Sequence, residues 1–188
     1  PGDYEMGFNG TSAAAPIAAG GVALMLEANP DLTWRDVQHI LIETATKHDP
    51  NHSSWALNGA GRWFSHDYGF GRLDAGAAVH TAAAWSNVPA EATPVSAVEA
   101  VGANIPDNDP EGLERSTTID SNGAFFTEFV EVYVDISHGR QGDLRVELIS
   151  PSGMISILGK ERPGNTNTNL QYRFTSVAHW GEDPSGEW

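Results

Sequence analysis

Gly10-Thr11-Ser12 stands directly before a run of small and apolar residues that reaches from Ala13 to Leu26. A serine at the N-terminus of a helix has two chemical uses. It can cap, because the first-turn N–H groups lack intrahelical partners and a Ser or Thr oxygen accepts from them. It can also react. The helix end is partly positive, and an oxyanion forming beside Ser12 is stabilised by the Ser12 amide. Gly10 lets the backbone approach a bound peptide closely. On the tripeptide alone both uses stand: Thr11 or Ser12 as a cap, Ser12 as a nucleophile.

The other chemistry-bearing residues say less. Asp107, Asp109 and Glu111 offer oxygens to Ca²⁺, but the spacing lacks the glycine and the distant Glu of an EF-hand. A solvated acidic linker is the simpler reading. Asn9-Gly10-Thr11 and Asn51-His52-Ser53 are glycosylation sequons and are expected to be unoccupied. Arg140-Gln141-Gly142-Asp143 reads as a hairpin turn. With no cysteine, disulfides, thiolate zinc sites and a Cys nucleophile are excluded. Ten basic against 25 acidic residues leave a net charge of −15, which nucleic acid phosphates would repel. Mean hydropathy is −0.31, and no apolar run approaches the ~20 residues needed to span a bilayer, so no membrane segment is expected.

The elements that must position Ser12 follow from pattern. Ser12 to about Glu27 reads as a helix without a polar face, which must be buried on all sides. Gly20 and Gly21 in its middle each cost ~1 kcal/mol against Ala, so another backbone is expected to pack closely there. Pro16 lies in the first turns, where a missing N–H does least harm. Asn29-Pro30-Asp31 ends the helix. Thr33 to Asp36 resembles a capping box with Asp in place of Glu. Trp34, Val37, Ile40 and Leu41 then follow the spacing of an amphipathic helix ending near Thr46. Residues 51–71 read as loop with one short strand. Asp74 caps a third helix, Ala75 to Trp85. Residues 86–114, acidic and broken by four prolines, read as a linker with a short strand near Val95–Val101.

From Thr117 the pattern turns to β. "FFTEFVEVYVDIS", "GDLRVELISPSG", "MISIL" and "LQYRFTSVAHW" are short strands with a turn at Ser150-Pro151-Ser152-Gly153, and suggest a β-sandwich. The Ser12 helix needs a shell that two surface-type helices and a separate β region do not supply. A parallel sheet is the usual cover. The expectation is therefore that much of the first domain lies upstream of Pro1.

The longer strings carry a resemblance. "NGTSAAAPIAAGGVALMLEANP" resembles the nucleophile segment of subtilisin-like serine proteases, and "LTWRDVQHILIETA" and "YGFGRLDAGAAV" resemble the next two segments in order. "LEANPDLTWRDVQHIL" is similar to the kexin/furin branch, the proprotein convertases. "GDLRVELISPSG" and "HWGEDPSGEW" resemble the P domain (P/Homo B domain) that follows the catalytic domain there.

The resemblance implies a fold and a function. Residues 1–86 would be the C-terminal, helical part of an α/β subtilisin-like catalytic domain. Residues 87–188 would be an all-β jelly-roll-like sandwich, the P domain, incomplete at its C-terminus. Ser12 falls on the nucleophile, its own N–H on an oxyanion donor, and Gly10 and Thr11 on the vicinity of the substrate backbone. The family's chain order is Asp, His, Ser. All seven histidines (39, 48, 52, 66, 80, 138 and 179) follow Ser12, and Asp3 and Glu5 are too close to it. The triad partners and the acidic pockets for basic substrate residues would therefore lie upstream.

The implied activity is serine endopeptidase cleavage after basic residues, in a secreted or cell-envelope protein. Its partners would be a peptide or protein substrate and the upstream part of its own catalytic domain, with no nucleic acid. Structural Ca²⁺ is implied for the full-length protein and no metal site in this chain. Asn9 precedes Gly10 where animal convertases carry His, which loosens the expectation of strict dibasic specificity. A different class of reading is a catalytically silent secreted protein whose sandwich is an interaction or carbohydrate-binding module.

Overall fold

The computed structural model describes residues 7–92, 99–123 and 125–188. The chain forms two compact units: Pro1–His52 with Phe70–Glu91, and Ser53–Gly69 with Ala92–Trp188. It therefore leaves the first unit after His52 and returns at Phe70.

Three helices make the first unit: α1 (Thr11–Ala28), α2 (Trp34–Thr44) and α3 (Ala75–Ala83). The capping box that starts α2 is formed: the Thr33 hydroxyl accepts the Asp36 N–H at 3.3 Å, and Asp36 Oδ2 accepts the Thr33 N–H at 2.7 Å. Ala45 is extended, which stops α2 at Thr44 rather than Thr46. Asp74 caps α3 by accepting the Ala77 N–H at 2.9 Å. At the other end Ala84 and Trp85 donate three residues back, to Thr81 and Ala82, and this tighter turn closes α3 before Trp85.

The core of this unit is Met25, Leu32, Ile40, Ala78 and Ala82, flanked by Val37, Leu41, Leu73, Val79 and Trp85. The alanines let α3 come close. α1 buries only Gly21 and Met25 here, while Ile17, Leu24 and Leu26 are exposed. The close approach expected at the two glycines is made by a side chain, not a backbone. Leu73 Cδ2 lies 2.9 Å from where a Gly21 Cβ would sit, and nothing lies near Gly20. At 18 residues and a mean hydropathy of 1.3, α1 is long and apolar enough to cross a membrane by length and composition alone, a test that core helices also pass. The chain then closes on itself where Thr46 and Arg72 pair as an antiparallel bridge.

The second unit contains more β structure than expected. Residues 51–71 hold two strands, β1 (Trp55–Leu57) and β2 (Trp63–Ser65), paired as an antiparallel hairpin. Further on come β3 (Thr118–Ile119), β4 (Val130–Ile136), β5 (Val146–Ile149), β6 (Ile155–Gly159), β7 (Leu170–Ser176) and β8 (Gly186–Glu187). They pair antiparallel as β3 with β8, β4 with β7, and β5 with β6. The β5–β6 turn falls on Ser150 to Gly153, where Gly153 at φ +85° donates back to Ser150. In β4 Val130, Val132, Val134 and Ile136 are half-buried, while Glu131, Tyr133 and Asp135 are exposed. Arg140 to Asp143 is not a hairpin turn. Gln141–Asp143 is a 3-10 turn, and the strands on either side pair with β7 and β6, not with each other. Gly142 is pressed against the carbonyls of Arg162 and Asn165 and leaves no room for a side chain. Of the short strand expected near Val95–Val101, residues 93–98 lie outside the described residues and 99–101 are irregular.

Candidate active site

Gly10, Thr11 and Ser12 come together at the exposed start of α1. The N-cap is Gly10, at φ +81° and ψ −171°, and no side chain caps the helix. Its carbonyl accepts the N–H groups of Ala13 and Ala14 at 3.0 and 3.2 Å. Thr11 is already the first helical residue, one place too late to cap. The capping use of Thr11 or Ser12 is therefore overturned. The physical reason is the left-handed φ of the residue before them, which favours glycine. Among the described residues, nothing accepts from the Thr11 or Ser12 N–H and nothing pairs with either hydroxyl. The first turn carries no acidic residue, so the positive helix end is not neutralised.

This arrangement presents an O–H and an N–H of one residue, side by side, at a helix N-terminus. Such a pair has the chemistry of a nucleophile with an oxyanion donor beside it. Among the described residues, no imidazole pairs with Ser12. His39 packs on Trp85 with ring centroids 6.4 Å apart, and His138 is held by the Arg140 backbone. His66 accepts the Ile157 N–H through Nε2 at 2.8 Å. His179 is fully buried beside Glu182 and edge-on to Trp188.

Asp107, Asp109 and Glu111 do not gather into a cation site. Among the described residues no three His, Cys, Asp or Glu side chains converge. Asp109 serves a local turn instead, accepting the Glu111 N–H at 3.0 Å.

Three polar groups escaped the sequence reading. Asp36 was visible only as half of a capping box. It is fully buried, and Oδ1 also accepts the Trp85 indole N–H at 2.9 Å and the Val88 N–H at 2.8 Å. Burial by itself raises this carboxyl. The bonds from the Thr33 side chain, Val88, the Thr33 backbone and Trp85 outweigh it and lower the pKa from 3.8 to about 2. Asn58, also buried, satisfies all four of its amide sites: it donates to the Ala178 and Trp180 carbonyls at 3.0 Å and accepts from Ala60 and Arg62. Glu182 is buried too, its Oε1 accepting the Gly59 N–H at 2.8 Å and the Ser152 hydroxyl at 3.0 Å. The only early signal for these was the polar "LNGAG" between apolar residues. Their partners lie about 120 residues away, beyond any local pattern.

Residues 1–71 match the subtilase family and residues 127–188 the proprotein convertase P-domain. Over the whole chain, the endoprotease bli-4 of Caenorhabditis elegans is 40% identical, and the chain spans 21% of it. Human proprotein convertase subtilisin/kexin type 7 is 42% identical over 96% of the chain, which covers 24% of that protein. Human furin is 39% identical over 95% of the chain, which covers 23% of it. The chain thus spans about a fifth to a quarter of the length of these curated relatives. Among solved structures, the serine protease of Aeromonas sobria superposes at a TM-score of 0.81 with 31% identity, over 96% of this chain and 36% of that one.

Proposed function

We propose, for a chain whose residues 1–71 belong to the subtilase family and whose residues 127–188 belong to the proprotein convertase P-domain family, that it serves a serine endopeptidase of the kexin-like kind, which cleaves after basic residues. Ser12 Oγ attacks the scissile carbonyl. An imidazole takes its proton and later gives it to the leaving amine. The Ser12 N–H donates to the oxyanion of the tetrahedral intermediate. An acyl-enzyme forms on Ser12, and water hydrolyses it. Gly10 and Thr11 lie along the substrate backbone.

The observation that carries this reading is the unengaged Ser12. Among the described residues its N–H and hydroxyl are both unpartnered, and Gly10 forms the N-cap. In such an enzyme the family's chain order of Asp, His and Ser puts the imidazole and its carboxylate N-terminal to the nucleophile. The exposed Ile17, Leu24 and Leu26 give α1 an apolar face that the rest of a catalytic domain would cover. Secretion or attachment at the cell envelope belongs to the same reading, as does structural Ca²⁺ held outside this chain. The support for both is the likeness to convertases.

The test is cleavage of fluorogenic peptides ending in Lys-Arg, single Arg or Phe by the full-length protein, with and without Ser12→Ala. Cleavage after Lys-Arg that the substitution abolishes is the expected result. Cleavage after Phe alone would reject the basic preference while keeping the protease. No Ser12-dependent cleavage by the folded, processed protein would leave a silent binding protein.

A further inference from the structure

The hairpin formed by β1 and β2 is covalently tied to the first unit at both ends, yet it packs in the second unit. One of its attachments there needs a neutral histidine, and a second rests on a carboxylate that lies beside a buried histidine. At one end, His66 Nε2 accepts the N–H of Ile157 on β6 at 2.8 Å. An imidazolium carries hydrogen on both nitrogens and accepts nothing. A proton on His66 therefore removes this bond and sets two donors against each other.

At the hairpin's turn, Gly59 donates to Glu182 Oε1, which also receives the Ser152 hydroxyl. The polar groups around that carboxylate are incompletely met. Glu182 Oε2, both ring nitrogens of His179 and Thr127 Oγ1 are buried and have no hydrogen-bond partner among the described residues. His179 Nδ1 is 3.8 Å from Glu182 Oε2, too far for a hydrogen bond. Unmet buried groups of this kind call for an explanation. A proton on His179 creates a charge in a fully buried place, beside the carboxylate whose Oε1 holds Gly59.

We propose that the 53–69 hairpin is held to the C-terminal β unit by a proton-sensitive clasp, His66 at Ile157 and the His179–Glu182 pair at Gly59, which loosens in mild acid.

The electrostatic surroundings agree in sign. Burial lowers the pKa of His66 below 6.5. Lys160 and Arg145 lower it further, against Asp67 and Glu147. Burial likewise lowers His179, with Glu182 opposing. Along the chain next to His179 and Glu182, Arg62 of the hairpin has its Nε 3.2 Å from where a Gly181 Cβ would sit, and Asp183 is bonded to Ser121 and Ser185. Both imidazoles bind protons more weakly in the clasp than in the opened chain. The clasp is thus fully stable above the ordinary imidazole range and weakens as pH falls through it.

The experiment is amide hydrogen exchange on the whole protein, corrected for intrinsic rates, from about pH 8 to about pH 5. Protection at Gly59 and Ile157 is expected to drop about tenfold or more over that range, while the strand amides of β4 and β7 stay protected. In His66→Gln the Ile157 drop disappears and the Gly59 drop remains; His179→Gln does the reverse. Equal protection at both pH values, or an unchanged drop in both variants, overturns the proposal. Should His179→Gln fail to fold, the His66→Gln result and an NMR titration of the wild-type His179 ring decide. An ordinary or raised His179 pKa overturns it.

Discussion

At the start of α2, Thr33 and Asp36 take up each other's backbone N–H groups, and the Asp36 carboxylate goes on to bind Trp85 and Val88. At the start of α1, Gly10 offers no side chain and, among the described residues, nothing accepts from the next two N–H groups. Both helices have the same positive end. In α2 it is neutralised by an internal carboxylate and contributes to stability. In α1 it is left open, forgoing the roughly 1 kcal/mol that a Ser, Thr or Asp cap supplies. The chain shows that it can build a complete cap twenty residues further on, so the open end beside Ser12 fits a place kept for a developing negative charge.

The sharpest way to break this comparison is Ser12→Ala in the full-length protein. Loss of the nucleophile should lower kcat by about a millionfold, the figure measured for subtilisin itself. Peptide cleavage that survives the substitution removes the reason for the open helix end.

Asp36→Ala acts at the opposite pole. It removes the acceptor of the half-buried Trp85 indole and Val88 N–H and of the Thr33 N–H, and leaves a void where the buried carboxylate was. It should cost the first unit about 3 kcal/mol in denaturant unfolding. A loss below about 1 kcal/mol would show that this carboxylate is not the keystone described.

The same group sets a pH dependence. Its folded pKa of about 2 lies below its ordinary 3.8. The stability it contributes is complete above about pH 4 and is lost as pH falls to about 2. The difference amounts to about 2 kcal/mol. Asp36→Asn should flatten that stretch of the stability curve, and an unchanged curve would contradict the assignment.

The smallest effect is the most direct comparison of the two helix ends. Thr33→Ala should cost about 1 kcal/mol, and Thr11→Ala less than about 0.5 kcal/mol, because only the first hydroxyl caps. Equal costs, measured by thermal unfolding, would mean that Thr11 caps α1 after all.

Much of this was written locally. The three helices, the Thr33 box, the Asp74 cap and the turn at Ser150 to Gly153 all rest on spacings of a few residues, and those could be read. Ser12 itself could be placed, but the tripeptide could not separate a cap from a nucleophile. That choice depended on the backbone of Gly10, which no side-chain pattern encodes. The second strand of the 53–69 hairpin was missed because the turn beside it is held by distant groups: Asn58 bonds the Ala178 carbonyl and Gly59 bonds Glu182, each about 120 residues further along the chain. Of the two glycines of α1, Gly21 does mark close packing, though against a side chain, and Gly20 meets nothing. A missing Cβ records that space is needed, but not that Leu73 fills it.

The most direct measurement is labelling of the native full-length protein with a fluorophosphonate, followed by peptide mapping. The account predicts one adduct, on Ser12, that is absent from Ser12→Ala and blocked by prior incubation with a cleavable peptide. A folded, processed protein that takes up no label at Ser12, or takes it up at another serine, would contradict it.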